Sequence, residues 1–175
     1  MPLILGIDPG SRRTGYALIS QQGRKLQVVT SGTIRLKTSL DLAARLGHLA
    51  IAIDAILDAQ DPASVAVEDI FSHRNARSAL ALGQARGVIL AAAGRRDLSV
   101  WAYPPATVKQ AVCGHGRAPK EQIQQMVRVL LSLDREPQED EADAMAVAIC
   151  HALRARGDAL RQVKAPPGRR RQVGR

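Results

Sequence analysis

Three separate stretches of the sequence place carboxylates where a hydrophobic core has no need for them. Asp8 ends the apolar run "LILGID", Glu68 and Asp69 end the run "SVAVED", and "EDEAD" occupies residues 139–143. Each has an ordinary structural explanation, because Asp before Pro-Gly shapes a turn and acids in the first turn of a helix favour its dipole. Their repetition indicates instead an acidic site assembled from distant parts of the chain.

The ligand chemistry of such a site is that of a hard divalent cation. A set of carboxylates without a cysteine or histidine cluster suits Mg²⁺ or Mn²⁺. Two such ions about 3.5 to 4 Å apart can activate a water and stabilise the leaving oxygen of a phosphodiester. The only two cysteines, Cys113 and Cys150, form no CxxC pair, and we expect them to be buried free thiols. The residues therefore predict hydrolytic phosphoryl transfer.

Spacing alone leaves open which acids would act. Asp140 and Asp143 are three apart on one helical face, and Glu141 points about 100° away. Glu139 with Asp143 is an equally allowed pair on the same helix. Side-chain alternation likewise does not choose between the two acids that end "SVAVED".

The charge of the chain predicts a polyanionic partner. The formal net charge is +9, and residues 157–175 supply more than half of it through six Lys and Arg against one Asp. Aromatic residues are only 2% of the chain, which favours contacts to phosphates over stacking platforms. Because the sequence has no long apolar run and no signal-peptide pattern, we expect a cytoplasmic protein that acts on nucleic acid and not on membranes.

The elements that must position the acids follow from hydrophobic periodicity. We predict strands at 3–8, 15–20, 26–36, 64–69 and 98–103, and helices at 39–59, 77–93, in two segments of 105–132, and from about 140. Ser39 is the expected cap of the first helix. The order predicts an α/β fold in which three antiparallel strands precede a parallel β-α-β unit, all within one domain at 1–156. Residues 157–175 form a basic tail that we expect to be disordered.

In this arrangement the first and fourth strands would be parallel neighbours. Asp8 and Glu68 would then lie side by side, and the acidic first turn of the last helix would reach them. The helix at 77–93 has small or apolar residues on nearly all its faces, which is typical of a central core helix or of one that packs on a partner.

Four blocks of sequence resemble one protein family. "GIDPGSRRTGYALI", "VAVEDIFSHRNARSALALGQARG", "VKQAVCGHGRAPKEQIQQMVRVLL" and "DEADAMAVAI" are similar to the RuvC family of bacterial Holliday-junction resolvases, in the ribonuclease H-like superfamily. The resemblance is collinear over residues 3–153. It implies a ribonuclease H-like fold, a five-stranded mixed sheet with helices on both sides, and symmetric Mg²⁺-dependent nicking of two opposing strands of a four-way DNA junction.

The resemblance also implies the site residues. The catalytic and metal-ligating acids would be Asp8, Glu68, Asp140 and Asp143. The position of Asp140 carries histidine in some family members, and Glu139, Glu141 and Asp69 become outer or solvated acids.

The family further implies contacts to DNA. The DNA-binding residues would be Phe71, Arg12, Arg77, Lys109 and Lys120. Phe71 matches an aromatic residue that stacks on unpaired bases at the crossover, a contact worth about 1 to 3 kcal/mol per base, although a core phenylalanine after a strand is the competing interpretation. Arg13 is as readily a solvated turn residue as a phosphate contact.

The expected partners follow from the same family. They are four-way junction DNA, a second copy of the chain, and the branch-migration proteins RuvA and RuvB, with helix 77–93 as the candidate dimer interface. Two other functions share these features: a ribonuclease H-like nuclease that processes RNA, and a non-catalytic basic DNA-binding protein. An actin-like ATPase also begins with a similar turn but needs two lobes, which 175 residues do not supply.

Overall fold

The strands and helices follow one another along the chain in the predicted order. The structure is a computed structural model that describes residues 2–69 and 76–164, with side chains except at 77 and 156–164. Its elements are β1 Leu3–Asp8, β2 Arg13–Gln22, β3 Lys25–Arg35, α1 Leu42–Gln60, β4 Ser64–Glu68, α2 Ala76–Gly94, β5 Ser99–Tyr103, α3 Pro105–Cys113, α4 Lys120–Leu130 and α5 Glu139–Lys164.

The five strands form one mixed sheet in the order β3-β2-β1-β4-β5. The pairs β1–β2 and β2–β3 are antiparallel, whereas β1–β4 and β4–β5 are parallel. A short turn with Gly23 at φ 59° joins β2 to β3. The parallel pairs need crossovers, and α1 and α2 provide them. The predicted α/β fold class and strand arrangement are thus confirmed.

Both faces of the sheet are buried, which sets the direction of every strand side chain. Leu5, Ile7 and Val67 pack against α1 and α2 on one face. Ile4 and Ala66 pack with α3, α4 and α5 on the other. Alternation therefore directs the residues at even positions of β1 and β4 toward α5.

Two boundaries differ from the prediction. Asp41, and not Ser39, caps the first helix: its carboxylate accepts the Ala44 N–H at 2.7 Å, because a turn that ends at Leu40 delays the helix start. The last helix continues to Lys164 and so includes residues 157–164 of the expected basic tail, since one glycine in a good helical sequence is tolerated.

Two further expectations concern free thiols and membrane-spanning segments. Both cysteines are free, Cys150 being buried and Cys113 half-buried. Within the part of the chain that the structure describes, no helix is both long and apolar enough to cross a membrane.

Candidate active site

Asp8 and Glu68 leave the sheet side by side at the carboxyl ends of two parallel strands. Ile7 is paired with Val67 in the register of β1 and β4, so the next residue of each strand carries a carboxylate. Both acids point to the α5 face, by the alternation described above. The two side chains lie close enough for each to affect the ionisation of the other.

The surroundings of Asp8 disfavour its ionised form. Burial, followed by the negative charges of Glu68 and Asp143, raises the pKa of Asp8 to about 8. Burial also raises the pKa of Glu68, but the hydrogen bond from Asp8 and the positive charges of Lys109 and Lys120 oppose this rise. Burial and mutual repulsion therefore oppose the full ionisation of this pair.

The first turn of α5 brings two more acids to the same edge. Asp143 lines one cavity together with Glu68. Burial raises the pKa of Asp143, and Lys120 opposes the rise. Asp140 lies close enough to contribute to the charge acting on Asp8. All four acids predicted from the sequence are thus brought together at one end of the sheet.

Two glycines allow α5 to lie this close to the strands. A Cβ atom built on Gly15 would be 1.9 Å from the carbonyl oxygen of Asp140, and one on Gly6 would be 2.3 Å from that of Ala144. Gly15 is also the cross-strand partner of Asp8. The distance between the first turn of α5 and the end of β1 is therefore set by the lack of a side chain at position 15. Sequence analysis missed this role, although a glycine within a strand is a known sign of close backbone approach.

Two lysines border the acids. A cavity of about 200 Å³ has Glu68, Asp143, Lys109 and Lys120 as its charged lining residues, and its remaining walls come from Pro105, Val108, Ile123 and Ala146. Lys120 Nζ lies 3.3 Å from Asp143 Oδ2 and also pairs with Glu139. Lys109 Nζ donates to the carbonyl of Ala118 at 2.9 Å, which holds it against the loop before α4. The cavity thus presents both signs of charge to an entering group.

The neighbouring acids have partners away from the pair on β1 and β4. Asp69 points to the opposite face of the sheet, where its Oδ1 lies 3.2 Å from Arg86 Nη2 on α2. Glu141 accepts a hydrogen bond from Ser31 Oγ at 3.3 Å and lines a separate cavity. Glu139 is largely exposed beside Lys120. Asp69 and Glu141 therefore lie apart from the acid cluster, whereas Glu139 shares Lys120 with Asp143 at its exposed rim.

The structure describes some of the predicted DNA-contact residues and not others. Arg12 is exposed in the turn after β1, and Arg13 Nη1 lies 3.9 Å from Asp140 Oδ2. Arg77 lies in the first turn of α2, and its side chain is not described. Phe71 lies outside the described residues, so its predicted stacking role stays a prediction.

The donor atoms suit a hard cation, but the carboxylates are engaged with other groups. Among residues 2–69 and 76–164, no group of three or more His, Cys, Asp or Glu side chains forms a ready metal-binding cluster. Asp8 and Glu68 act on each other's ionisation, and Asp143 pairs with Lys120. A divalent cation bound here would compete with protons and offset the mutual repulsion of the acids. The donor atoms of Asp8, Glu68, Asp140 and Asp143 are all oxygen, the type that such an ion prefers.

Comparisons with known proteins identify the family. The family described as "Crossover junction endodeoxyribonuclease RuvC" matches residues 4–151. A crossover junction endodeoxyribonuclease RuvC of Heliobacterium modesticaldum is 52% identical over 151 residues, which cover 86% of this chain and 93% of that protein.

Solved structures give the same result. Thermus thermophilus RuvC in complex with a Holliday junction substrate superposes with a TM-score of 0.86 at 33% identity, over 90% of this chain and 97% of the other. The yeast mitochondrial Holliday junction resolvase Ydc2 shares the fold, with a TM-score of 0.63 at 13% identity, over 91% of this chain and 85% of that one. By sequence and by fold, this chain belongs to the RuvC family of crossover junction endodeoxyribonucleases.

Proposed function

We propose that this chain is a structure-specific DNA endonuclease that resolves Holliday junctions in recombination and repair by nicking two opposing strands. The observation that carries the proposal is the meeting of four acids and two lysines at one end of the sheet. The similar Thermus thermophilus protein has been solved with a Holliday junction substrate, which supports the same substrate here. The bacterial relatives of this chain support a cytoplasmic site of action.

Asp8, Glu68, Asp140 and Asp143 would hold Mg²⁺, or Mn²⁺, with two ions per site. A divalent cation bound there would supply Lewis-acid stabilisation of the phosphodiester and an activated water. The protein's own contribution is to keep four carboxylates in a partly buried place, where their charge is poorly screened and attracts a cation strongly. Hard-cation chemistry follows from the donor atoms, which are all oxygen.

The lysines position the scissile phosphate. Lys120 is held at the mouth of the cavity by Glu139 and Asp143, and Lys109 is held by the carbonyl of Ala118. Fixed positive charges near the acids let a phosphate approach a site that would otherwise repel it. Arg12 and Arg77 would contact the backbone on either side, and Phe71 would stack on a base unpaired at the crossover.

A second copy of the chain completes the proposal. A four-way junction has near two-fold symmetry, which a two-fold dimer with two sites matches. Leu80 on helix α2 is exposed to solvent, with an exposed fraction of 65%, and the helix is rich in small residues. This face of α2 is our candidate for the dimer interface. RuvA and RuvB are proposed partners on the basis of family membership alone.

The proposal is tested with a labelled mobile four-way junction, a linear duplex, and a structured RNA of similar size. We expect Mg²⁺-dependent, symmetric and ligatable nicks in the junction and little cleavage of the other two. Preferential cleavage of the RNA would favour an RNA-processing nuclease of the same fold. Tight junction binding without nicking in Mg²⁺ or Mn²⁺ would indicate a non-catalytic DNA-binding protein.

A further inference from the structure

The end of the β2–β3 hairpin nearest the acids places two arginines directly opposite each other. Arg13 and Arg35 are cross-strand partners, and both are exposed. Like charges in directly opposite positions destabilise a sheet. Such a pair is unfavourable for folding alone, which points to a role in binding an anion.

Further positive charge surrounds this pair. Arg12 precedes Arg13, and its carbonyl accepts the N–H of Leu36 at 2.9 Å, which fixes the turn against the end of β3. Leu36 is buried, and alternation therefore leaves Arg35 and Lys37 exposed on either side of it. We call Arg12, Arg13, Arg35 and Lys37 the hairpin-end cluster.

The cluster has little compensating negative charge. Across residues 2–69 and 76–164, its one ion pair joins Arg13 to Asp140, with 3.9 Å between the charged atoms. Arg45 lies beneath the same turn: its Nη1 donates to the carbonyl of Ser11 at 3.4 Å, and its Nε is buried without a hydrogen-bond partner. The four cations of the cluster therefore carry more positive charge than their one ion pair offsets.

The position of the cluster relative to the acids indicates what it would bind. Asp8 is paired with Gly15, only two residues from Arg13. The outer strand β3 is two strand spacings, about 10 Å, from β1. Lys109 and Lys120, from α3 and α4, line the cavity beside Glu68 at the end of β4, on the other side of β1 from β2 and β3. Positive charge thus continues past the acids on the side away from the lysines.

We infer that the hairpin-end cluster binds the phosphate backbone of a duplex DNA arm that leaves the cleavage site across β2 and β3. This inference rests on the proposed function and adds Arg35 and Lys37 to its DNA contacts. The ligand is a row of phosphates, because four exposed cations along one edge match repeated negative charges and include no aromatic side chain for stacking on bases.

The hairpin supplies a matched control at its other end. Arg24 and Lys25 are exposed at the β2–β3 turn, and β3 runs for 11 residues between the two ends, a span of about 34 Å. The double variant Arg35→Gln/Lys37→Gln and the double variant Arg24→Gln/Lys25→Gln remove the same charge from opposite ends of one hairpin. Any effect of net charge alone is common to both.

The measurement is the affinity of the full chain for a four-way junction in EDTA, as a function of salt concentration. Removing two cations that each neutralise a phosphate lowers the slope of log K against log salt by about 1.8. Between 50 and 200 mM salt, the affinity of the wild type should therefore fall about 12-fold further than that of Arg35→Gln/Lys37→Gln. The Arg24→Gln/Lys25→Gln variant should keep the wild-type slope.

Thermal unfolding separates a binding effect from a folding defect. Removing one member of a like-charged cross-strand pair should leave the melting temperature of Arg35→Gln/Lys37→Gln equal to or above that of the wild type. Equal slopes for the two double variants, or an unchanged slope in the Arg35→Gln/Lys37→Gln protein, would overturn the inference. A wild-type protein that bound the junction no better than linear duplex would instead count against the proposed function.

Discussion

The substitution Gly15→Ala tests how the fold sets the geometry of the active site. A Cβ atom at position 15 would lie 1.9 Å from the carbonyl oxygen of Asp140 and 2.7 Å from its carbonyl carbon. Ordinary van der Waals contact begins at about 3.4 Å, so the first turn of α5 would have to move away by about 1.5 Å. Both groups are backbone, and no side-chain rotation relieves the clash.

This shift acts on the acids and not only on stability. Gly15 faces Asp8 across the sheet, so moving α5 away from it separates Asp140 and Asp143 from Asp8 and Glu68. Overpacking of this kind costs about 1 to 3 kcal/mol of folding free energy. A displacement of about 1 Å at reacting groups can lower a rate about 100-fold. We therefore expect junction nicking to fall at least 100-fold and the Mg²⁺ concentration for half-maximal activity to rise.

The assay is single-turnover nicking as a function of Mg²⁺ concentration, with junction binding measured in parallel. Gly32→Ala is the matched control, because the three atoms nearest to its Cβ all belong to the side chain of Tyr16 on the same sheet. Junction affinity should be retained in both variants. If Gly15→Ala folds and cleaves with wild-type dependence on Mg²⁺, the close approach of α5 does not set the geometry of the site.

Three further predictions concern DNA contacts and the buried acid pair. Phe71→Ala should reduce junction cleavage while duplex binding and melting temperature stay nearly unchanged; a large drop in melting temperature with activity per folded molecule preserved would show a core residue instead. Removing residues 165–175, the part of the basic tail beyond α5, should weaken the salt dependence of nonspecific DNA binding while cleavage survives. The slope of log K against log salt should fall by about 0.9 for each phosphate that this segment neutralises. Binding with no cleavage would assign the segment to the catalytic assembly. In EDTA, the free energy of unfolding should fall as pH rises from about 4 to about 8, by at most about 1.4 kcal/mol per pH unit. The reason is that the pKa of Asp8 is about 8 in the folded protein and 3.8 in the unfolded chain, so unfolding releases a proton in this range. Chemical denaturation should show that Asp8→Asn removes this decrease, and an equal decrease in the variant would place the proton elsewhere.

The sequence was sufficient to predict the sheet and the positions of the acids along it. Short β-branched runs that end in acids are local signals, and parallel neighbours bring such ends together regardless of the remaining packing. Alternation could not choose between Glu68 and Asp69, because Val65, Ala66 and Val67 are all buried and the strand has no polar face. The choice depends on tertiary contacts, since one acid faces α5 and the other faces α2.

The first turn of α5 shows the same limit. Helical spacing allowed Glu139 with Asp143 as readily as Asp140 with Asp143. In the structure Lys120, from a different helix, pairs with Glu139 at the exposed rim, while the Asp140 backbone rests on Gly15. Neither contact has a signal within the helix itself. The family resemblance predicted the same pair of aspartates, and their role in catalysis stays a prediction.

The most direct test of the central claim compares conservative substitutions within the acid cluster with one on the opposite side of α5. Glu68→Gln and Asp143→Asn keep the size of each side chain but remove a charge from the acid cluster, whereas Glu141→Gln removes one from the side that contacts Ser31. In Mg²⁺-dependent nicking of a four-way junction, we expect the rate of the first two variants to fall by several orders of magnitude with binding intact, and that of Glu141→Gln to fall much less. Near-normal nicking by Glu68→Gln or Asp143→Asn, or an equal fall in Glu141→Gln, would contradict the assigned active site.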